Sequence, residues 1–169
     1  MRTIFKITQS VLGRALCDLR RPHAFAAERV GFFSCRVGGL RSTGWVILAE
    51  EFHPVADDDY LEDHTVGAMM GPDAIRKAMQ VALDRQCCMF HVHIHEHRGQ
   101  PRFSAIDISE TDKFVPDFWN VAPQMVHGAI VLSSDSMAGR CWHPRLRSPI
   151  RILELAAIGS PMLIRRRKS

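Results

Sequence analysis

The stretch "HVHIHEH", residues 91–97, decides how the fold is interpreted, because it places a histidine at every second position. Side chains on a β-strand alternate between its two faces, so all four histidines would lie on one face. Phe90, Val92 and Ile94 would lie on the other face, and all three are apolar. The pattern therefore predicts a strand with one face in the core and a histidine face toward a cleft or toward solvent.

Two histidines that are two residues apart on a strand can supply half of a metal site. Their Cα atoms lie about 7 Å apart, and their rings can converge on one ion. Neutral imidazole is the commonest metal ligand in proteins. Without further ligands, such a pair is equally well explained by surface histidines that bind nothing.

Length and composition indicate an ordinary globular protein. The 169 residues suit one domain, residues 1–169, with a short basic tail at residues 164–169, and 46% of the residues are hydrophobic. No apolar run is long enough to span a membrane, and no basic segment is interleaved with aromatic residues, so we expect neither a membrane nor a nucleic acid as a partner. Five cysteines without a CxxC pair argue against a disulfide framework and a zinc ribbon, which makes a cytoplasmic location the simplest expectation.

Hydrophobic periodicity predicts the element order α-β-β-α-β-α-β-β-β, typical of an α/β (α+β) protein with helices packed on a mixed sheet. The start of the chain, residues 1–16, is predicted as an amphipathic helix, whose apolar spacing continues to residue 20. Residues 55–71 are a predicted acidic loop in which the run Asp57–Asp59 is solvated. The other predicted elements are strands over 29–39, ending in a Gly-Gly turn, and 44–55, a helix over 73–86, the histidine strand over 87–95, a short helix within 104–114, a hairpin of 125–135 and 137–144, and one closing strand within 151–164.

Polar residues on either side of the histidine strand can complete a catalytic site. Asp107, shortly after the histidines, can complete a set of two histidines and one carboxylate, which leaves zinc one open position for water. Ser104 is near enough in sequence to donate a hydrogen bond to a developing oxyanion. Glu28, before the first predicted strand, could take a proton from water and pass it to a leaving amine.

These residues resemble the signature of a known family. Glu28 followed by Gly31 resembles the glutamate-x-x-glycine opening of the JAMM metalloproteases, also called JAB or MPN domains. The "HIH" of residues 93–95 and the "SAID" of residues 104–107 resemble their H-x-H … S-x-x-D signature. The order of elements also matches, over roughly residues 7–143.

The resemblance implies a fold, a site and an activity. The fold would be a JAB/MPN-like mixed β-sheet flanked by helices, layered as in cytidine deaminases. His93, His95 and Asp107 would bind zinc, Glu28 would be the general base and acid, and Ser104 would steady the tetrahedral intermediate. The family hydrolyses isopeptide or peptide bonds at the C-terminus of ubiquitin-like proteins.

The resemblance also implies partners. This chain looks like the short bacterial members that occur beside ubiquitin-like conjugation genes, including those of antiviral defence. Its expected partners are a ubiquitin-like protein and its conjugates, with E1-like and E2-like proteins of the same pathway. The modifier's tail would lie in a groove beside the zinc. The loops at 55–71 and 113–124 would shape that groove, and Phe118 and Trp119 are candidate contact residues.

The chain departs from the family's usual motif in one place. Glu96 follows His95 where a proline is usual, and eight residues, Glu96 to Phe103, separate His95 from Ser104, one more than usual. The pair His95 and His97 would leave only six. We prefer His93 and His95, because the alternative pair would turn Glu96 into the core, at a cost of several kcal/mol unless it is paired.

Two other classes of protein compete with this interpretation. Histidine-triad nucleotide hydrolases carry alternating histidines, and here His91, His93 and His95 would fit, with one of them attacking a phosphate. That class needs no zinc and gives no role to Glu28 or Asp107. The second alternative is a non-catalytic MPN-like binding module that has lost its metal.

Overall fold

The computed structural model describes residues 2–40, 44–159 and 161–166. In these residues, eleven strands and three α-helices follow one another, with short 3-10 helices at Asp57–Asp59 and Phe118–Asn120. The elements are β1 Arg2–Thr8, α1 Gln9–Leu19, β2 Val30–Leu40, β3 Gly44–Pro54, β4 Tyr60–Leu61, β5 Met69–Met70, α2 Pro72–Arg85, β6 Cys88–Ile94, α3 Ala105–Asp117, β7 His127–Leu132, β8 Met137–Trp142, β9 Ile150–Ile152, β10 Glu154–Ile158 and β11 Leu163–Arg166.

Nine of the strands form one mixed sheet in the order β11-β10-β1-β3-β2-β6-β7-β8-β9, and β4 and β5 form a separate two-stranded ribbon. The sheet is mixed because β1 runs parallel to both β3 and β10, and β6 runs parallel to β7, while the other pairs are antiparallel. The protein is therefore an α+β protein with a large mixed sheet and helices, as the sequence predicts.

The helices cover both faces of the sheet, and each face has its own apolar core. Helix α1 packs its buried Val11, Leu12 and Ala15 against one face, to which β6 contributes Phe90, Val92 and Ile94. Helices α2 and α3 pack on the opposite face, which carries Met89. Because side chains alternate along a strand, His91 and His93 lie on the same face as Met89. The histidine face of β6 is thus turned toward α3, and the apolar face lies in the core as predicted.

The large sheet curls until it nearly closes on itself. Strands β9 and β10 are separated by Leu153 alone, yet β9 pairs with β8 and β10 pairs with β1. The amide of Leu153 donates a hydrogen bond to the carbonyl of Thr3 at 3.1 Å. One continuous segment, residues 150–158, therefore joins two strands that stand far apart in the order of the sheet.

The start of the chain differs from the prediction. Residues 2–8 form β1, an internal strand of the sheet and the third from one edge. The helix begins only at Gln9, where the Thr8 hydroxyl caps it by accepting a hydrogen bond from the Val11 amide at 3.2 Å. The prediction of a helix over residues 1–16 is thus wrong for this part. The pairing partners of β1 are β3 and β10, which are distant in sequence. Local periodicity therefore does not indicate that residues 2–8 form a strand.

The end of the chain also differs. The single closing strand predicted within 151–164 is three strands, β9, β10 and β11, and residues 164–166 of the predicted basic tail pair with β10. Residues 167–169 of that tail lie outside the described residues. The predicted Gly-Gly turn is likewise wrong, because β2 continues through Gly38 and Gly39 to Leu40.

The acidic loop is more ordered than predicted. Asp59 is buried, and both of its carboxylate oxygens accept hydrogen bonds from Lys77 Nζ, at 2.8 and 2.7 Å. The prediction of a wholly solvated Asp57–Asp59 run is therefore wrong for Asp59, because an ion pair compensates its burial. Among the described residues, no helix is both long and apolar enough to cross a membrane.

Candidate metal centre

His93 and His95 stand at the end of β6 and meet at their ring nitrogens. The backbone of His95 continues the pairing of β6 with β7, since its amide donates to the Leu132 carbonyl at 2.9 Å. The Nε2 atoms of His93 and His95 lie 3.2 Å apart. The side chain of His93 is almost fully buried, at 2% exposure, and that of His95 is 20% exposed.

Asp107 reaches these nitrogens from the first turn of α3. Ser104 is the N-cap of this helix: its hydroxyl oxygen accepts from the Asp107 amide at 3.0 Å, and Asp107 Oδ2 accepts from the Ser104 amide at 2.7 Å. This reciprocal capping box fixes the carboxylate. The same Oδ2 lies 3.6 Å from His93 Nε2 and 3.9 Å from His95 Nε2.

Glu28 approaches the histidines from the segment before β2. Its Oε1 lies 3.8 Å from His95 Nε2, and one donor atom each of Glu28, His93 and His95 lie within 4.8 Å of one another. These three side chains form a possible metal-binding triad. Gly31, three residues on, leaves room for the Phe52 ring, since a Cβ there would lie 2.5 Å from Phe52 Cε2.

The spacing of these donor atoms fits a tetrahedral metal ion. Ligand atoms bound to zinc at 2.0–2.1 Å are separated from one another by about 3.3 Å. The observed separations among His93, His95 and Asp107 are 3.2, 3.6 and 3.9 Å. Two imidazoles and one carboxylate are also the chemical types that zinc binds. The residues present therefore fit such an ion, with either Asp107 or Glu28 as the carboxylate.

The protonation states favour ligation. Burial raises the pKa of Asp107, but its hydrogen bond and charge interaction with His93, together with the hydrogen bonds from Ser104, outweigh burial and hold this pKa well below its usual value. Burial, and then the neighbouring His93, lower the pKa of His95. The site thus favours an ionised carboxylate and a neutral imidazole, the forms in which both side chains bind metal.

The two outer histidines have different surroundings. His91 is buried between the rings of Phe32 and Phe114, with centroid distances of 5.6 and 5.3 Å, and burial lowers its pKa to about 3. It packs on the strand face. His97 is exposed, beyond the end of β6, and its Nδ1 lies 2.8 Å from the carbonyl oxygen of Arg98. Only the pair His93 and His95 is thus brought together with carboxylates.

The two predicted aromatic contact residues are not both available. Phe118 is buried in the core beside α3 and stacks on His127 at a centroid distance of 5.3 Å. Its prediction as a contact residue is wrong, because the 3-10 helix after α3 turns it inward. Trp119 is partly buried, and its indole N–H donates to the Met125 carbonyl at 3.0 Å.

Gly67 is a residue of the site that the sequence does not single out. A Cβ built on Gly67 would lie 2.9 Å from both Cδ and Oε2 of Glu28. The loop containing Gly67 therefore rests against the Glu28 carboxylate, and only the lack of a side chain allows this approach. A glycine within a long acidic loop is too common a feature to indicate this role by itself.

The centre thus combines two imidazoles, the Asp107 carboxylate that the capping box holds in place, and the Glu28 carboxylate, which is about one-third exposed. Such a set can hold a Lewis-acidic ion and also move a proton beside it. In comparisons with known proteins, no family model and no curated protein matches the chain.

Proposed function

We propose that the chain is a zinc-dependent isopeptidase or peptidase of the JAMM type, which cleaves at the C-terminus of a ubiquitin-like protein. One observation carries the proposal. Residues from three separate parts of the chain, Glu28, the histidine strand and Asp107, converge within 4 Å of His95 Nε2. The surrounding α+β fold supports a JAB/MPN-like arrangement with cytidine-deaminase-like layering.

In this proposal His93, His95 and Asp107 hold the zinc ion. When bound, zinc supplies Lewis acidity for the scissile carbonyl and activates water for attack. Glu28 accepts a proton from the water and delivers it to the leaving amine, because its Oε1 lies 3.8 Å from His95 Nε2 and its side chain is partly open to solvent. The Ser104 hydroxyl accepts from the Asp107 amide, so its own proton is free to be donated to an oxyanion.

The substrate class comes from the resemblance to the family. The proposed partners are a ubiquitin-like protein and its conjugates, together with E1-like and E2-like proteins, in a bacterial antiviral defence pathway in the cytoplasm. The loop over residues 55–71 supports a groove beside the metal, since Gly67 lies against Glu28. An extended tail in that groove could add a strand to a neighbouring sheet edge.

A histidine-triad hydrolase is less well supported by the same geometry. His91, which that chemistry would require, is 7% exposed and enclosed by Phe32 and Phe114. The carboxylates of Glu28 and Asp107 face the remaining two histidines and would repel a phosphate. A non-catalytic module would have no need of a carboxylate at the position of Glu28.

Cleavage of fusion proteins tests the proposal directly. The zinc-loaded chain is incubated with candidate ubiquitin-like modifiers fused to a C-terminal reporter, with and without a chelator. We expect cleavage that the chelator abolishes. Glu28→Gln should lower kcat by roughly 10²–10⁴-fold and leave zinc bound, since general acid-base catalysis contributes about that factor.

Glu96→Gln is the matched control, because Glu96 lies just after His95 but pairs with Arg20 at the surface. It should cleave like the wild type. Full activity of Glu28→Gln, or cleavage that survives removal of zinc, would count against the mechanism.

A further inference from the structure

Three consecutive residues, Glu28, Arg29 and Val30, are each bonded to the loop over residues 55–71. The amide of Glu28 donates to the Gly67 carbonyl at 2.9 Å. Arg29 Nη2 pairs with Asp57 Oδ1. The amide of Val30 donates to the Tyr60 hydroxyl at 2.9 Å, and this hydroxyl donates to the Val30 carbonyl at 3.3 Å. The backbone that carries Glu28 is thus held from one side by a single loop.

The ion pair between Arg29 and Asp57 is the central one of these attachments. The Arg29 side chain is 1% exposed, and within the described chain its Nε and Nη1 have no hydrogen-bond partner. Its guanidinium also lies over the Tyr60 ring, 5.6 Å from the centroid. A buried cation needs a counter-charge. Asp57 supplies the counter-charge to Arg29, so the loop cannot move away without leaving this cation uncompensated.

Asp57 is at the surface, although the group that it holds is buried. Its side chain is 57% exposed and also lies 3.4 Å from Arg21 Nη2. The hydrogen bond from Arg29 holds the pKa of Asp57 below its usual value. The ion pair therefore stays ionised at neutral pH, and it can be altered by a substitution that does not touch the core.

We propose that Arg29 and Asp57 are positioning residues that set the carboxylate of Glu28 through the 55–71 loop. This inference rests on the proposed role of Glu28 in proton transfer. The same loop also contacts Glu28 itself in two places, at its amide and, through Gly67, at its carboxylate. The proposed metal ligands belong to other parts of the chain: His93 lies on β6, His95 directly follows β6, and Asp107 lies on α3. Breaking the ion pair should therefore impair the proton-transfer step and spare metal binding.

The test compares Asp57→Asn with Asp58→Asn, the matched control, since Asp58 is the exposed next residue in the same loop. Amide hydrogen exchange is first measured on the metal-free chain. In Asp57→Asn we expect the amides of Glu28 and Val30 to exchange about 10-fold faster, because the loop opens locally. Asp58→Asn should exchange like the wild type, and Asp57→Glu should restore protection by restoring the charge.

Activity and metal binding give the second readout. In Asp57→Asn we expect kcat on the modifier fusion to fall about 10-fold, with KM unchanged, because a misplaced catalytic group costs rate. Zn²⁺ affinity, measured with the metal alone, should stay within about 2-fold of the wild type. Asp57 is bonded to Arg21 and Arg29 rather than to a proposed zinc ligand, whereas loss of a residue that hydrogen-bonds to a ligand costs about 10–100-fold.

The outcomes separate this inference from the proposed function. Unchanged exchange at Glu28 and Val30 in Asp57→Asn overturns the positioning role, whatever the activity. Absence of cleavage by the wild type overturns the peptidase proposal, while the exchange data still decide the role of the loop. If Asp57→Asn is unstable overall, the double variant Arg29→Met/Asp57→Asn removes the buried charge. It should fold and still exchange fast at these two amides, and wild-type protection in it would contradict the proposal.

Discussion

The Nε2 atom of His93, which is buried, and that of His95, at the rim of the site, lie 3.2 Å apart. This is close to the spacing of about 3.3 Å between two ligands of a tetrahedral zinc ion. The next pair along the chain, His95 and His97, is less close, with ring centroids 6.2 Å apart against 4.9 Å for His93 and His95. The metal is therefore expected between the first pair.

Alanine variants of the histidines test which pair binds the metal. His93→Ala and His95→Ala should each lower Zn²⁺ affinity by more than about 100-fold, the most expected from losing a residue that only hydrogen-bonds to a ligand. His97→Ala, the matched control, should bind zinc as the wild type does, because its ring contacts the Arg98 carbonyl instead. Elemental analysis after dialysis reads out the difference. Loss of zinc in His97→Ala with retention in His93→Ala would move the metal to the other pair.

Gly67→Ala should disturb catalysis more than stability. The new Cβ would lie 2.9 Å from Cδ and Oε2 of Glu28, so the flexible end of that side chain must move. A displacement near 1 Å can cost up to about 10²-fold in rate. We expect kcat on the fusion substrate to fall by about 10–100-fold, with zinc content unchanged.

Gly38→Ala is the control for this variant, since a Cβ at Gly38 meets no atom within 4 Å. It should leave kcat unchanged. Equal rates for Gly67→Ala and the wild type would show that the contact with Glu28 does not matter for catalysis.

Removal of the Ser104 cap should destabilise α3 and loosen Asp107. Ser104→Ala loses the hydrogen bond from the Asp107 amide, and loss of an N-cap costs about 1 kcal/mol. Urea unfolding of the metal-free chain should show this difference. Ser109→Ala, an exposed position inside the same helix, should change the free energy of unfolding by less than about 0.5 kcal/mol. If the two variants have equal stability, the cap makes no measurable contribution.

Stability should fall in mild acid, and His127 is one of the buried histidines that cause this, together with His91. Its Nδ1 accepts from the Met89 amide at 3.1 Å, and its Nε2 lies 3.2 Å from the Ala122 carbonyl, an arrangement that suits the neutral ring. Burial lowers its pKa to about 4 in the folded chain, against about 6.5 when unfolded. Between these values the unfolded state binds more protons. The contribution of His127 to stability, about 3 kcal/mol, is therefore fully present above about pH 6.5 and is lost toward pH 4.

The variant His127→Asn removes the titrating ring and keeps an acceptor for the Met89 amide. It should reduce the dependence of the unfolding free energy on pH between about 6.5 and 4 by the share of one titrating ring, and leave the share of His91, whose pKa burial lowers to about 3. His64→Asn, at an exposed position, should keep the wild-type slope. A slope in His127→Asn equal to that of the wild type would assign the acid sensitivity to other groups.

The positions of the candidate ligands were more predictable from the sequence than the fold around them. Alternation along one strand fixes that His93 and His95 share a face, and capping chemistry fixes Asp107 at the start of α3. These rules act over a few residues. Strand β1 could not be identified in this way, because Ile4 pairs with Val46 and Glu154, and its short apolar pattern also fits a helix.

Burial set by distant parts of the chain is equally hidden from the sequence. Asp59 looks like a solvated acid until α2 brings Lys77 to it. Phe118 looks like a surface contact until the core beside α3 encloses it. In both cases the side chain is buried by residues that are distant in sequence. Composition and periodicity describe only the segment itself and therefore do not predict this burial.

The curl of the sheet has a consequence for how the chain acquires its structure. Because residues 150–158 bridge β8 and β1, both of these strands keep an open edge until that segment has left the ribosome. The pairing of β1 with β10 joins residues that are far apart in sequence, such as Ile4 and Glu154, and such contacts form slowly. Unpaired edges are also sites of aggregation. A nascent or truncated chain that ends before residue 150 would thus expose two unpaired strand edges, one on β1 and one on β8. Its yield in cells would depend on chaperones that shield these edges.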